Sequence, residues 1–381
     1  MKTSQNDLPI MEVGNENIVL FHPHIPENAS NYIADTLSSR WIGQGPKVDK
    51  FENDFSKKFC NGQTNVAVGS GTDALHLAYI LADLKAGDEV IVPVFTCTAT
   101  NIPFLYMGVK IVFADIQKDT LNIDVEHVKE LVNEKTKAIV CVHYGGLPCD
   151  MDELHLIARK WGIPVIEDAA HALGGYYKGT PIGAISEFTM YSFQAIKHIT
   201  TGDGGMLSVK NMDLRAKAER VRWFGIDRNA KQQGHWENDI KEVGYKYQMT
   251  DIAAAMGLAG LEEFDEISSH RKRLFKIYEK NLSNIEGLRF IGGNYTDREH
   301  AAWLCTIIVE RRADLQLKLR EHNIESNQVH YRNDRYTIFG GRKNNLPNMD
   351  ALEEKYLVLP LHTQLSEENV LRVCQVIKSG W

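Results

Sequence analysis

The residues best equipped for chemistry lie between positions 167 and 205. An apolar run, Pro164-Val165-Ile166, reads as a buried parallel strand and ends on two carboxylates, Glu167 and Asp168, followed by Ala169, Ala170 and His171. Strand neighbours point to opposite faces, so only one of the two acids can serve a site; Asp168 is the candidate and Glu167 reads as structural. A second β-like run at 188–193 delivers Ser192, and Lys197 follows just before the glycine-bearing segment 200–205. An acid at the end of one strand and an amine after another suit a cofactor that needs both.

A third feature could hold an anion. Residues 65–68 read as a short strand, and Gly69-Ser70-Gly71-Thr72-Asp73-Ala74-Leu75 turns it into a helix whose Leu75, Ala78, Leu81 and Leu84 share one face. The N–H groups and positive dipole end at such a helix start attract phosphate, and glycines admit the anion close to the backbone. Many α/β proteins carry a similar turn as a plain connection.

The elements that must position these residues alternate. Strands are expected at 89–92, 110–115 and 138–142, and helices at 29–39, 98–106, 125–132 and 152–161. Alternation of this kind implies βαβ units, a mainly parallel sheet and ligands at the carboxyl ends of the strands, where Ser70, Thr96 and Asp168 would lie together. Beyond it come a basic helix at 214–223, a polar loop at 225–242, and a long helix at 251–285 that begins with small apolar residues and ends charged. The C-terminal part reads as α+β, with strands at 303–309 and 357–361 and helices at 314–322 and 367–378. The expected division is a large domain at 1–262, with a loose segment up to residue 17, and a small domain at 263–381. Ser366 and Asn369 look like the capped start of the closing helix.

Composition excludes several classes. The 381 residues are 43% hydrophobic and 24% charged, which suits an ordinary globular chain. A formal charge of −7 argues against non-specific nucleic-acid binding. No apolar run approaches the roughly eighteen residues of a membrane span, and no leader pattern precedes Val13, so a cytoplasmic protein without membrane attachment is expected. The six cysteines are dispersed with no C-x-x-C pair, which suggests neither a metal site nor a disulfide framework.

Written out, IEDAAHALGG followed by YSFQAIKHITTGDGG resembles the DegT/DnrJ/EryC1/StrS aminotransferases, pyridoxal phosphate (PLP) enzymes that aminate sugar nucleotides. The resemblance runs from RWIGQGPKVDKFE to LVLPLHTQLSEE, nearly end to end. It implies an α/β fold of PLP fold type I, like aspartate aminotransferase. It also implies that Lys197 forms the Schiff base with PLP and is released to move a proton, with pyridoxamine 5′-phosphate as the alternate cofactor form. Asp168 would keep the pyridine nitrogen protonated, and His171 would bond the ring's phenolic oxygen or orient Asp168. Gly71 and Thr72 become contacts of the PLP phosphate, with Ser70 beside them and Ser192 adding a hydroxyl.

The same resemblance assigns further residues. Relatives place an aromatic ring where Cys97 stands, stacked on the pyridine; here either Cys97 covers the ring or Phe95 substitutes. The segment Gly244-Tyr-Lys-Tyr-Gln-Met-Thr-Asp251 resembles one that reaches into a neighbouring subunit's site, which implies a homodimer and makes Gln248 a cofactor contact. Relatives commonly carry Asn at Lys246 or Gln248, and Lys246 could be a plain surface charge. Trp41 and Gly43 would border the sugar-nucleotide pocket, and His330 and Tyr331 would approach substrate, whereas Asn333-Asp334-Arg335 departs from the family run. Related dehydratases replace the lysine by histidine; aligning Ser192-Phe193 and Thr200-Thr201-Gly202 leaves Lys197, not His198, at that position. The expected reaction is amination of a nucleotide-linked 4-keto-6-deoxyhexose by L-glutamate for surface glycans. A 3-amino product and a PLP-binding regulator without turnover are the alternatives.

Overall fold

The computed structural model describes residues 8–14, 16–237 and 239–381. Seven strands form the central sheet, in the spatial order Thr64–Val68, Gly205–Val209, Phe188–Ser192, Val165–Asp168, Thr136–Val142, Glu89–Pro93, Lys110–Ala114. All run parallel except Gly205–Val209, which is antiparallel to both neighbours. That strand was not expected, because its glycine-bearing approach reads as a turn and its five residues carry no period of their own. All five are buried, and the register sets Gly205 opposite both Val68 and Ser192, which brings the helix start at Gly71 beside Ser192.

Apolar side chains cover both faces of the sheet. One core includes Val66, Val92, Val140 and Ile166, and the other Ala67, Ile91, Ile139 and Val165, the alternation expected of a sheet buried on both sides. The helix Pro46–Phe59, which begins with Pro at its first turn, packs Phe51 and Phe55 into the second core. The helix Asp251–Leu282 crosses it, and its small residues allow close approach: a Cβ on Gly257 would come within 2.7 Å of the Phe51 ring.

The same helix continues without a break past residue 262 and packs Leu274, Phe275 and Tyr278 into a third core. There the strands Leu288–Phe290, Cys305–Val309 and Tyr356–Leu359 form an antiparallel sheet covered by the closing helix Glu367–Lys378. Ser366 and Asn369 form the expected reciprocal cap of that helix. The N-terminal segment is tied down earlier than the sequence suggests. Met11 donates its N–H to Glu325 and Ile18 lies in the third core, while residues 1–7 fall outside the described part. The polar loop expected at 225–242 contains a short helix, Arg228–Gln232. The expected basic helix is Arg215–Arg222, and its last arginine is not a solvated charge, because Arg222 is buried against Glu52.

Candidate active site

The carboxyl ends of the parallel strands open into a cleft of about 380 Å³. Its wall includes Ser70, Gly71, Thr72, Cys97, Asp168 and His171, and is completed by Ser192, Lys197, Trp303 and His330. Fold topology thus gathers residues scattered over 260 positions of sequence at one sheet edge, as the strand alternation predicts.

At the helix start, Ser70 is the N-cap and its hydroxyl accepts the N–H of Asp73 at 3.1 Å, while its carbonyl takes the N–H of Ala74. The N–H groups of Gly71 and Thr72 are left for a ligand, at the positive end of the helix Gly71–Leu81. A Cβ on Gly71 would lie 3.0 Å from that of Ser192, so glycine is what lets the cup close against the Ser192 hydroxyl.

Asp168 is buried at the end of its strand. One carboxylate oxygen accepts the hydroxyl of Thr100 at 2.7 Å and the other the N–H of Ala170 at 3.1 Å. Burial holds its carboxyl above the usual range, and these two donors, with the nearby Lys197, offset part of that rise. Thr100, from the helix Thr98–Met107, therefore has the orienting role that the sequence offered to His171.

His171 does something else. Its Nδ1 accepts the N–H of Gly145 at 3.3 Å, and its Nε2 lies 3.2 Å from Nε2 of His330. The His171 ring stacks on Trp303 at 3.8 Å between centroids, and His330 lies alongside, nearly parallel to both. Burial and the charge of Lys197 hold both imidazoles neutral, His171 well below its usual range and His330 down to about 3.

Lys197 reaches the cleft from the turn after Phe188–Ser192. Burial pulls its ammonium down to about 7, against the opposing influence of Cys97 and Asp168. Its Nζ sits 3.5 Å from the centroid of the Trp303 ring. His198, the residue a dehydratase would use, is buried and bonds the carbonyl of Ala301 at 2.8 Å, outside the cleft wall.

Of the two residues offered for the ring-covering contact, Cys97 is the one that lines the cleft. Phe95 is turned into the core, 4.9 Å from both Tyr144 and Tyr356, whereas Cys97 faces the cleft with Ala170. Tyr331 pairs through its backbone with Thr96 and lies under the Arg335 guanidinium, so it is not part of the wall. Asn333 and Asp334 are buried structural groups: Asn333 bonds the carbonyl of Thr96, and Asp334 pairs with Arg332.

Trp41, Gly43 and Gln248 are likewise absent from the wall of their own chain's cleft. Gly43 belongs to a clamp built on Asp251, whose carboxylate accepts the N–H groups of Gly45, Lys47 and Val48 and whose own N–H goes to the Gly43 carbonyl. Gln248 bridges to Val68, and its Oε1 is buried without a partner among the described residues. Sequence reasoning missed Thr100, which a serine or threonine one helical turn past Thr96 could have signalled. It also missed Trp303, which reads as part of a strand that in fact starts at Cys305.

The cup, the buried carboxylate and the amine with a lowered pKa form the donor set that PLP requires: phosphate, ring nitrogen and aldehyde each meet a matching group. Comparison with known proteins agrees. The sequence profile of the DegT/DnrJ/EryC1/StrS aminotransferase family matches residues 23–378. The chain is 32% identical to the GDP-perosamine synthase of Escherichia coli O157:H7, over 94% of this chain and 97% of that one. It is 33% identical to the UDP-4-amino-4-deoxy-L-arabinose–oxoglutarate aminotransferase of Shewanella sediminis, over 96% and 98%. Among solved structures, the PLP form of a Streptococcus pneumoniae protein described as a sugar aminotransferase, Spr1654, superposes with a TM-score of 0.89 at 32% identity, covering 95% of this chain and 98% of that one.

Proposed function

The chain belongs to the DegT/DnrJ/EryC1/StrS aminotransferase family, as a PLP-dependent sugar aminotransferase, and from that premise we propose that it aminates a nucleotide-linked 4-keto-6-deoxyhexose with L-glutamate. The product is then a 4-amino-4,6-dideoxy sugar nucleotide for surface glycans, made in the cytoplasm. The observation that carries the aminotransferase chemistry is the meeting of Lys197, Asp168 and the free N–H groups of Gly71 and Thr72 in one cleft. The name of the Shewanella relative supports the finer choice, since it joins a 4-amino sugar to oxoglutarate, the keto acid that glutamate leaves behind.

When bound, the cofactor supplies an aldehyde carbon and an electron-accepting pyridinium ring. The rest is done by side chains. Gly71 and Thr72 hold the phosphate through backbone N–H groups, with the Ser192 hydroxyl opposite. Asp168, fixed by Thr100 and Ala170, would hold a proton on the ring nitrogen. Lys197, poised near neutrality, takes and returns a proton at Nζ. Cys97 and Ala170 cover the ring with small groups.

The functional unit proposed is a homodimer with shared sites. Trp41, Gly43 and Gln248 then serve the cleft of the other copy, which accounts for their absence from their own. The exposed Trp236 and Val243, each 76% accessible, lie in the adjoining segment.

The test is the absorbance of the purified protein before and after L-glutamate, with Lys197→Ala alongside, followed by a panel of keto-sugar nucleotides with products assigned by NMR. Loss of the visible band on glutamate addition in the wild type only, and amination at C4, are expected. A product aminated only at C3 overturns the sugar assignment, and PLP binding without response to glutamate overturns the donor.

A further inference from the structure

We propose that Trp303 is a positioning residue for Lys197, its indole face holding the lysine amine whenever that amine is not covalently engaged. This rests on the reading of Lys197 as the cofactor-binding amine. Three observations carry it. The amine is directed onto the indole, 3.5 Å from the ring centroid, and among the described residues it has no ion pair. The indole cannot swing away: its N–H donates to the carbonyl of Ile196 at 3.1 Å, so the ring is fastened to the residue that precedes the lysine it faces. Its backbone is fixed as well, since the Trp303 N–H donates to Gly145 and the Arg271 guanidinium donates to the Trp303 carbonyl at 2.8 Å.

The surroundings explain why an aromatic face serves here. Around Lys197 stand the Cys97 thiol, the Asp168 carboxylate, the neutral imidazoles of His171 and His330, and, from the long helix, the Arg271 guanidinium. Asp168 is already held by Thr100 and Ala170 and lines the same cleft. A second carboxylate near Nζ would lock the amine as an ammonium. An indole attracts the cation through its quadrupole yet is itself unable to accept the proton, so it can hold the amine in place and release it.

The experiment follows Lys197 in protein freed of cofactor, by the pH dependence of its reaction with trinitrobenzenesulfonate, read by peptide mass. Trp303→Phe keeps an aromatic face and Trp303→Met fills similar space without one. The wild-type midpoint is expected near about 7. With Phe it stays close, whereas with Met it falls by about half to one pH unit, as the charged form loses its partner. Equal midpoints for the Met and Phe variants overturn the proposal. A second measurement needs no change at Trp303: the tryptophan emission of the wild type should change from acid to alkaline pH by an increment absent in Lys197→Met, and superimposable curves overturn the proposal too. Borohydride reduction with PLP, followed by peptide mapping, separates the two levels. If the labelled residue is not Lys197, the reading beneath the proposal fails; if it is Lys197 but the Met and Phe variants titrate alike, only the role of Trp303 fails.

Discussion

The two faces of the strand Val165–Asp168 carry adjacent buried carboxylates with opposite fates. Glu167 is saturated: one oxygen faces Nε2 of His143 at 2.8 Å, and the other accepts the N–H of Ser186 at 2.9 Å and the hydroxyl of Thr189 at 3.3 Å. The His143 proton is fixed on Nε2, because the N–H of Cys149 occupies Nδ1. Among the described residues Asp168 has only Thr100 and Ala170 as donors, and it borders an open cleft. A buried acid with three donors converging on its two oxygens holds a fold together. One left partly unengaged beside a cavity is available to a ligand.

Asp168→Asn should break this comparison most visibly. An amide of the same shape can accept from the Ala170 N–H and donate to the Thr100 hydroxyl, which can turn its own proton to Thr96, but it cannot hold a proton on a ring nitrogen. The rate of the glutamate half-reaction is expected to fall on the order of 10²–10⁴-fold, the range for losing a positioned proton partner, while the melting temperature changes little. Unaltered single-turnover kinetics would remove Asp168 from the chemistry.

Glu167→Gln should do the reverse. Three donors converge on the carboxylate, and an amide offers one oxygen and an NH₂, so at least one buried donor must face another donor. The expected loss is about 1–3 kcal/mol of stability, seen in the denaturation midpoint, with cofactor affinity and rate preserved below the transition. A variant as stable as the wild type but impaired in turnover would show that the second carboxylate also serves the site.

What could be read from sequence follows the same division. Lys197, Asp168 and the Gly71–Thr72 cup were legible because each sits in a local pattern, a strand end or a glycine turn, whose geometry a few neighbours determine. The parallel strands were legible as buried apolar runs. Thr100, Trp303 and the Asp251 clamp were not, since their meaning arises from partners 68, 107 and 206 residues away. His171 shows the limit in another way: the resemblance suggested a bond to the ring's phenolic oxygen or an orienting contact with Asp168, and what the sequence did not show is its stacking on Trp303, whose position only the completed C-terminal part defines.

Thr100 supplies the smallest and sharpest test. Burial pushes the Asp168 carboxyl up, and among the described residues the Thr100 hydroxyl at 2.7 Å is the side-chain hydrogen-bond donor that opposes this. Thr100→Val removes the hydroxyl at nearly constant volume. A hydrogen bond to a charged group is worth about 1.5–3 kcal/mol, so without it the Asp168 carboxyl should rise further. The sign matters: a higher carboxyl pKa means ionisation is completed only at higher pH, so the acid limb of the rate profile moves upward and the alkaline limb, set by other groups, stays. Thr100→Ser should restore the wild-type limb, because it returns the hydroxyl. If the valine variant keeps the wild-type acid limb, Asp168 is held ionised by Ala170 and its charged neighbours alone, and the contrast with Glu167 lies in the open cleft rather than in the donors.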